Sequence, residues 1–423
     1  MGKLAPYIIQ HFQLDEFSGD PDFSLIQQSG YYCLFWWKHI PLGHLFVECK
    51  NRPGEHNFRR QVLEAIQPAI DYYMQQTGKK FADYQLAFQD RFAFAEILQS
   101  VFADLTPLSL PGRVDISVVI CTRNRSRSLQ RCLDLLMRQK SLPAEIIVID
   151  NAPADDSTCK VTEQYRHVKY YKEPRAGLDI ARNTGAYKAS SSVVAYVDDD
   201  VLVHPWWAYQ VWQSFNDLQV AAITGLVIAS ALDTESQQIF EKYWSFNRGY
   251  TDKWYTPAFY QENLLSGPPV WEIGAGANMA FRKSVFAEVG YFDERLDVGA
   301  AGCSGDSEIW YRILAKGFNI LYNPRAVVHH EHREDLRALH KQLYNYMRGH
   351  AAAALIQQTQ NEKAGYRKRL YRELPKYYMH LLAEGFPAYN LRYKTLFSEI
   401  RGLISGVLFY RKYKSRPSQT DPY

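Results

Sequence analysis

Three short runs of mostly β-branched residues lie in the middle of the chain, with amphipathic stretches between them. The runs are Asp115–Cys121, Glu145–Asp150 and Ser192–Val197, and such continuous apolar character is typical of buried parallel strands. Helical periodicity marks Ser128–Gln139, where leucines recur on one face, and Leu178–Ala189. The order strand, helix, strand, helix, strand predicts an α/β fold with an open, twisted, mostly parallel sheet flanked by helices.

The regions on either side of this pattern differ from it. Residues 1–112 combine an aromatic, hairpin-like stretch (YYCLFWWKHIPLGHLFVEC) with a helical one at Phe58–Tyr73, and we predict a small α+β N-terminal accessory domain. Pro111–Gly112 marks its boundary. Residues 113–335 contain the predicted sheet. Residues 336–423 are predicted to be helical, with a disordered tail at KSRPSQTDPY.

Polar residues are concentrated where the predicted strands end. They are Thr122-Arg123-Asn124-Arg125 after the first strand, Asp150-Asn151 at the end of the second and Asp198-Asp199-Asp200 at the end of the third. Ligands of open α/β sheets bind beyond the carboxyl ends of the strands. The three strand ends therefore predict one site of about the size of a nucleotide.

Composition narrows the class of protein. A net charge of +4 over 423 residues is too small for a dedicated nucleic-acid binder. The six cysteines form no CxxC pair, which favours reduced thiols and a cytoplasmic location. The N-terminus has no secretory pattern, and the apolar runs are shorter than the roughly 20 residues of a spanning helix. We therefore expect a chain that does not cross a membrane.

The aspartate triplet Asp198-Asp199-Asp200 indicates a metal site. Three adjacent carboxylates after an apolar strand repel one another unless a cation neutralises them. Mg²⁺ and Mn²⁺ take oxygen ligands, commonly one or two carboxylates together with substrate phosphates. A solvated turn is the simpler alternative, but the position at the end of a buried strand favours the metal.

Two later motifs carry further candidate chemistry. Asp306 lies in GCSGDSE at the start of a helical run, where it is either a helix cap or a catalytic carboxylate. His329-His330-Glu331-His332 follows a strand-like segment. A separate zinc site or a merely polar strand end would account for the histidines, but one histidine completing the aspartate-bound metal is more economical.

These segments resemble the family 2 glycosyltransferases, whose catalytic domain has the GT-A fold. The resemblance covers about Asp115–Arg333, and its segments occur in the family's order. They are ISVVICTRNRSRSLQRCLDLLMRQ, EIIVIDNA, RAGLDIARNTGA, VAYVDDDV, GAGANMAFRKSVFAEVGYFDERL, GDSEIWYRILAKGF and NPRAVVHHEH. The resemblance implies an inverting, metal-assisted transfer of a sugar from a nucleotide-sugar to a hydroxyl group.

The resemblance also implies a role for each matching residue. Thr122, Asn124, Arg125 and Asp150 would line the nucleoside pocket. Arg182 and Asn183 would lie near the ribose and diphosphate. Asp198, Asp199 and Asp200 form the D-x-D motif, with Asp200 as the direct ligand of Mn²⁺ or Mg²⁺, and His330 would bind the same metal. Asp306 would be the catalytic base.

One departure from the family concerns the residue before that base. Many members have Glu-Asp where this chain has Gly305-Asp306, so a carboxylate that would contact the acceptor is missing. Ser307 and Glu308 are the candidates to replace it.

Three other classes of function are alternatives to a glycosyltransferase. A dinucleotide-dependent oxidoreductase is disfavoured because the first strand is followed by CTRNRSRS, without a G-x-G-x-x-G turn. A non-catalytic nucleotide-sugar or glycan-binding relative is disfavoured because both Asp200 and Asp306 are present. A metal-dependent phosphohydrolase acting on nucleotide-sugars stays open, and its hydrolysis would not depend on an acceptor.

The substrates and the flanking regions are less constrained. The donor would be a UDP-, GDP- or dTDP-sugar, and the acceptor a glycan or a lipid-linked molecule. Trp36 and Trp37 would either grip such an acceptor or, as we favour, belong to a core. The C-terminal helices combine basic and aromatic residues, which suits peripheral membrane contact at the inner face of a membrane, a helical cap or an oligomer contact.

Overall fold

We analysed a computed structural model of the chain, which describes residues 5–16, 29–48, 55–79, 84–88, 90–297 and 300–414. Residues 415–423, most of the tail predicted to be disordered, lie outside the described residues. Among the described residues no helix is both long and apolar enough to span a bilayer. Those cysteines that the structure describes are free thiols.

The N-terminal region contains a three-stranded sheet covered by helices. Its elements are β1 (Tyr7–Gln13), β2 (Gly30–Trp37), β3 (Ile40–Val47), α1 (Glu55–Thr77), α2 (Tyr84–Ala87) and α3 (Arg91–Val101). The predicted hairpin is the antiparallel β2–β3 pair, and the predicted helix lies within α1. Strand β1, which was not predicted, pairs with β2 in parallel.

The aromatic strand β2 is buried on both faces. Tyr32, Leu34 and Trp36 pack into the core of the central region, whereas Trp37 packs into the N-terminal core with α1. The side chains of Trp36 and Trp37 are therefore core residues, as favoured from the sequence. The N-terminal sheet is thus packed directly against the central region.

The central region begins with the predicted strand–helix alternation. Its first elements are β4 (Arg113–Thr122), α4 (Ser126–Leu136), β5 (Leu142–Asn151), α5 (Ser157–Thr162), β6 (Val168–Glu173), α6 (Leu178–Lys188), β7 (Val193–Asp198) and β8 (Val201–Val203). Helix α4 ends three residues earlier than predicted. The Gln139 side chain instead donates to the His204 carbonyl and accepts from the Ala208 N–H, which fixes the following turn.

The second half of the central region was less predictable from the sequence. Its elements are α7 (Trp207–Ser214), β9 (Val220–Ala229), α8 (Glu235–Trp244), β10 (Lys253–Tyr255), α9 (Pro257–Asn263), β11 (Asn278–Arg282), α10 (Val285–Val289), α11 (Gly305–Ala315) and β12 (Asn319–His330). The strand order of the sheet is β10-β12-β9-β11-β7-β4-β5-β6, with β8 paired to β12.

Six of the nine strands found in this sheet, counted over the described residues, run in the same direction. The predicted mostly parallel sheet flanked by helices is therefore confirmed. Alternate residues of β4 face opposite layers: Val119 packs into one core cluster, and Val118 and Ile120 pack into the other. The leucines of α4 are buried in that second cluster, as their spacing predicts.

The C-terminal region is helical, as predicted. Its elements are α12 (Leu336–Gln360), α13 (Tyr366–Lys368), a π-helical turn (Arg369–Glu373), α14 (Leu374–Gly385) and α15 (Leu396–Tyr413). Helices α12 and α15 pack closely because glycines face the α12 backbone. A Cβ atom at Gly402 would lie 2.4 Å from the Tyr344 carbonyl oxygen, and one at Gly406 would lie 2.2 Å from that of Arg348.

Candidate functional site

A cleft of about 840 Å³ opens at the carboxyl ends of β4 and β7. The ends of the strands and α6 form one side, and α8, α12 and the C-terminal helices form the other. Strand register explains why polar residues meet here, because Thr122 pairs with Asp150 and Cys121 with Asp198 across neighbouring strands. Of the predicted site residues, the following line the cleft: Thr122, Arg125, Arg182, Asp198, Asp199, Asp200, Asp306 and His330.

The aspartate triplet occupies the short turn between β7 and β8. Thr122 donates from Oγ1 to Asp199 Oδ2 at 2.6 Å. Arg125 donates from Nη1 to Asp199 Oδ1 and to Asp200 Oδ2, both at 2.9 Å. Asp199 is thus held by the loop after β4, and its two neighbours are turned toward the cleft and β12.

Asp198, Asp200 and His330 offer one ligand atom each, and these three atoms lie within 4.8 Å of one another. Strand pairing brings the imidazole there, because β12 runs antiparallel to β8 with His330 opposite Val201. The Nε2 atom of His330 lies 3.6 Å from Asp200 Oδ1. The two carboxylates are oxygen ligands of the kind that Mn²⁺ and Mg²⁺ take, and the imidazole is a ligand typical of transition metals, so the set fits Mn²⁺ better than Mg²⁺.

Burial and neighbouring charges shift the pKa values of Asp198 and Asp200 in opposite directions. Burial, reinforced by the Asp200 charge, raises the pKa of Asp198 to about 7. Burial opposes the ionisation of Asp200 as well, but the neighbouring His330 and the guanidinium groups of Arg125 and Arg333 outweigh it and keep the pKa of Asp200 below its ordinary value. The site thus contains carboxylates whose mutual repulsion a cation would relieve.

A chain of hydrogen-bond contacts leads away from His330 through the protein interior. His330 Nδ1 lies 3.2 Å from His332 Nδ1, and His332 Nε2 lies 2.9 Å from Glu241 Oε2. In the arrangement where His332 donates from Nε2 to Glu241 and accepts at Nδ1, His330 donates from Nδ1. Burial lowers the pKa of His330 to about 4, so its Nε2 lone pair then faces Asp200, which is the orientation a metal ligand needs.

The same chain extends into the N-terminal sheet. The hydroxyl group of Tyr32 donates to Glu241 Oε1 at 3.3 Å, and Ser245 Oγ donates to the same oxygen at 3.2 Å. Both oxygens of the buried Glu241 carboxylate are therefore engaged. Sequence reasoning missed Glu241, because a glutamate in an amphipathic helix such as α8 is usually a surface residue.

Asp306 lies in the first turn of α11 and faces the loop before β11. Its Oδ2 accepts from the Gly276 N–H at 2.9 Å, and its Oδ1 accepts from the Ser307 N–H at 2.7 Å. The N-cap of α11 is Ser304, so the cap interpretation of Asp306 is wrong. The Gly276 contact instead fixes a carboxylate oxygen at the cleft wall.

The space beside Gly305 is filled by Asp179, which sequence reasoning missed. A Cβ atom at Gly305 would lie 2.0 Å from Asp179 Oδ2. Asp179 is buried, its Oδ1 accepts from Arg182 Nη1 at 3.0 Å, and burial raises its pKa. A carboxylate from α6 therefore occupies the space that a side chain at position 305 would need. The i, i+3 spacing of Asp179 and Arg182 was the available signal.

Of the two residues considered as replacements for that carboxylate, only Ser307 lines the cleft. Glu308 is buried away from it, and its carboxylate accepts from the Arg312 guanidinium at 2.7 to 2.9 Å. The expectation that Glu308 compensates for Gly305 is therefore wrong, because its charge is already neutralised within α11.

Three predicted site residues are not among those that line the cleft. Asn124 has φ 56° and accepts from the Ala154 N–H at 2.9 Å, so it fastens the loop after β4. Asn183 exchanges two hydrogen bonds with the Phe292 backbone. Asp150 is fully buried and accepts from the Tyr170 hydroxyl at 2.8 Å, and burial raises its pKa. The neighbouring Asn151 lines the cleft in its place.

The wall contributed by the loop before Gly276 and by the C-terminal helices is aromatic and basic. The Arg369 guanidinium lies 4.4 Å from the centre of a Trp271 ring, and His350 packs edge-on against the same side chain. Arg248 donates to the Trp271 carbonyl at 3.1 Å. Burial lowers the pKa of Arg248, which indicates a cation with little compensating negative charge.

Comparison with known proteins identifies the region that carries this site. The family model described as "Glycosyl transferase family 2" matches residues 117–290. That range begins in β4 and ends after α10, and it includes Thr122, Arg125, Arg182 and the aspartate triplet. Residues 117–290 are a glycosyl transferase family 2 domain.

Individual relatives of the glycosyl transferase domain agree with this assignment. The pre-mycofactocin glycosyltransferase of Mycobacterium tuberculosis strain H37Rv is 26% identical over 251 residues, which cover 57% of this chain and 48% of that protein. The glucosyl-dolichyl phosphate glucuronosyltransferase of Haloferax volcanii is 23% identical over 235 residues, which cover 51% of this chain and 69% of that protein. The chain thus spans about half the length of the mycobacterial relative.

Among solved structures, a mannosyltransferase from Pyrobaculum calidifontis in complex with GDP-Man and Mn²⁺ aligns with 83% of this chain and 87% of that one. The identity is 18% and the TM-score 0.43. Asp306 and His330 lie beyond the residues that the family model matches. Their connection to the glycosyl transferase domain is therefore carried by the geometry of the cleft.

Proposed function

We propose that the protein is an inverting glycosyltransferase that moves a sugar from a nucleoside-diphosphate sugar to a hydroxyl group of a glycan or lipid-linked acceptor. The observation that carries the proposal is the convergence of Asp200, His330 and Asp306 on one cleft, together with the family 2 domain that forms its floor. These residues come from three different elements.

The part of the cleft around the aspartate turn has the residues needed to bind a nucleotide-sugar donor. Thr122 and Arg125 order the aspartate turn, and Arg182 lies close to both Gly276 and Asp306. Asp198, Asp200 and His330 would hold a divalent cation, which when bound neutralises the negative charge that develops on the leaving diphosphate. The nucleotide would be UDP, GDP or dTDP, and the aspartate turn sets no preference among them.

Asp306 is the proposed base. Its Oδ2 is positioned by the Gly276 N–H, which leaves the carboxylate able to accept the proton of an acceptor hydroxyl as that oxygen attacks the anomeric carbon. The new C–O bond forms as the bond to the diphosphate oxygen breaks. A single displacement without an enzyme nucleophile inverts the anomeric configuration.

The acceptor would enter along the wall formed by Trp271, Arg369 and the C-terminal helices. An indole ring supplies a flat apolar surface for a sugar ring or an apolar aglycone. Arg369 forms no ion pair with a carboxylate within the part of the chain that the structure describes, so its charge is available to an anionic group of the acceptor, such as a phosphate or a uronate.

A donor screen followed by product analysis tests the proposal. UDP-, GDP- and dTDP-sugars are compared by thermal shift with and without Mn²⁺, and the donor that stabilises the protein is then incubated with candidate acceptors. The proposal predicts metal-dependent stabilisation and a product of inverted configuration. Release of sugar phosphate and nucleoside monophosphate at the same rate with and without acceptor would instead indicate the phosphohydrolase.

A further inference from the structure

The C-terminal region exposes most of the large apolar side chains on the surface. Among the described residues, nine of the sixteen exposed large hydrophobic residues belong to it, with exposed fractions between 40% and 74%. They are Tyr371, Tyr377, Met379, Leu382, Phe386, Tyr389, Phe397, Ile404 and Leu408. A concentration of this kind marks an interaction surface.

Positive charge is concentrated in the same C-terminal region. Residues 366–414 contain eleven Lys or Arg and three Asp or Glu, a net charge of +8, whereas the whole chain carries +4. The rest of the chain therefore has a net charge of −4. The exposed apolar residues thus lie in a strongly basic region of a chain whose remainder is mildly acidic, and this combination is complementary to an anionic lipid surface.

Helix α15 combines exposed apolar and basic side chains on one face. Phe397, Arg401, Ile404 and Leu408 are exposed and follow one another at intervals of four, three and four residues, which places them on one face. The opposite face carries the glycines that pack against α12. Helix α15 is therefore packed on its inner side, and its outer side is left exposed by the residues that the structure describes.

Helix α14 is exposed over most of its circumference. Only Tyr378 and Gly385 are buried within it, and Tyr378 attaches the helix to α15 by donating to Glu399 Oε2 at 3.2 Å. Met379 and Leu382 point to solvent, and Phe386 follows directly. Burial of such a helix would be favourable against any surface that accepts its apolar side chains.

This exposed surface adjoins the cleft. Leu374, Tyr377 and Tyr378 of α14 also line the cleft wall opposite the aspartate turn. We propose that α14 and the outer face of α15, here called the C-terminal surface, bind an anionic membrane. The apolar side chains enter the interface, and the lysines and arginines contact lipid headgroups. Membrane binding stands on its own, but the consequence that the cleft is presented to a lipid-borne acceptor rests on the proposed function.

Vesicle flotation with the full chain tests the proposal. The vesicles are phosphatidylcholine alone, or equal parts of phosphatidylcholine and phosphatidylglycerol, and neither donor nor acceptor is added. We expect binding to the anionic vesicles only, weakened by added salt. Replacing Lys376 of α14 and Arg401 of α15 by Gln should lower the partition coefficient about 25-fold, because each basic residue at the surface contributes about fivefold.

Two further variants separate the C-terminal surface from exposed apolar residues in general. Phe386→Ser combined with Phe397→Ser should lower vesicle binding at least about tenfold. The matched control combines Leu108→Ser with Leu218→Ser, which are also highly exposed but lie elsewhere, and it should bind as the unchanged protein does. Circular dichroism and thermal melting establish that each variant is folded.

Sedimentation velocity tests the alternative that the C-terminal surface binds a second copy of the chain. If the unchanged protein is a dimer that Phe386→Ser with Phe397→Ser converts to a monomer, while vesicle binding stays at its original value, the C-terminal surface is an oligomer contact and the proposal is wrong. Absence of flotation with anionic vesicles would also overturn it. Because neither assay measures sugar transfer, these results are independent of the proposed function.

Discussion

The Nε2 atom of His330 lies 3.6 Å from Oδ1 of Asp200, although His330 ends β12 and Asp200 lies in the turn before β8. The pairing of β12 with β8 produces this contact. A hydrogen bond from the Glu331 N–H to the Asp200 carbonyl at 3.3 Å extends the pairing by one more residue on each strand. The candidate metal site is therefore built into the sheet.

Asp306→Asn should reduce sugar transfer by about 10²- to 10⁴-fold, which is the usual contribution of one positioned base. The amide oxygen of Asn can still accept from the Gly276 N–H, so the wall of the cleft should be preserved. Donor affinity, measured by calorimetry in the presence of Mn²⁺, should change little. Normal turnover by this variant would disprove the assignment of the base.

Glu241→Gln should weaken binding of Mn²⁺ by about 10- to 100-fold, because partners that orient a metal-ligating histidine typically have effects of this size. The neutral amide no longer fixes the tautomer of His332, and therefore no longer that of His330. Electron paramagnetic resonance of free Mn²⁺ gives the affinity without any turnover. Tyr32→Phe, which leaves the carboxylate in place, is the control and should retain most of the affinity. Equal affinities of the Glu241→Gln variant and the unchanged protein would refute the orienting role.

Arg369→Gln should raise the KM for an anionic acceptor several-fold and leave the KM for the donor unchanged. The substitution removes the charge stacked on Trp271, which lies on the proposed acceptor wall. Steady-state kinetics with each substrate varied in turn separates the two constants. If the donor KM rises and the acceptor KM does not, the acceptor lies on another side of the cleft.

His39→Phe should make the stability of the fold less sensitive to acid. His39 stacks on Trp206 at 3.7 Å, and burial lowers its pKa to about 4. The unfolded chain takes up a proton below about pH 6.5 and the folded protein does not, so stability is complete above that pH and falls as the pH decreases toward 4. Phe keeps the aromatic contact and removes the titration.

The slope of unfolding free energy against pH should therefore fall by about 1.2 kcal/mol per pH unit in the His39→Phe variant between about pH 6 and pH 5. Urea denaturation at each pH provides the measurement. The absolute stability also changes, because the hydrogen bond between His39 and the Leu105 backbone is lost, but that loss does not alter the slope. Parallel slopes in the two proteins would contradict a neutral, buried His39.

The strands and helices that precede the aspartate turn could be predicted because their periodicity is local. Strands β4, β5 and β7 and helices α4 and α6 all lie where the apolar pattern indicated. Strand β11, which inserts antiparallel between β7 and β9, was not predicted, since its position depends on pairing with distant strands and its own sequence is short.

The candidate site shows the same division between local and tertiary information. Asp200 and Asp306 could be named from motifs. The place of Asp179 beside Gly305 could not, because α6 and α11 meet only in the folded chain. Asn124 and Asn183 match motif positions, yet their amides are engaged by neighbouring backbone groups, and a motif does not specify the direction of a side chain.

Anomalous scattering from Mn²⁺ tests the central claim most directly. Crystals of the protein with Mn²⁺ and a nucleoside diphosphate, measured near the manganese absorption edge, should show one strong peak in the cleft, within about 2.5 Å of Asp200 and His330 ligand atoms. Asp200→Ala should abolish the peak, and Asp104→Ala, at an exposed aspartate elsewhere, should retain it. A nucleotide bound without manganese at this position, or a manganese peak away from Asp200, would contradict the account.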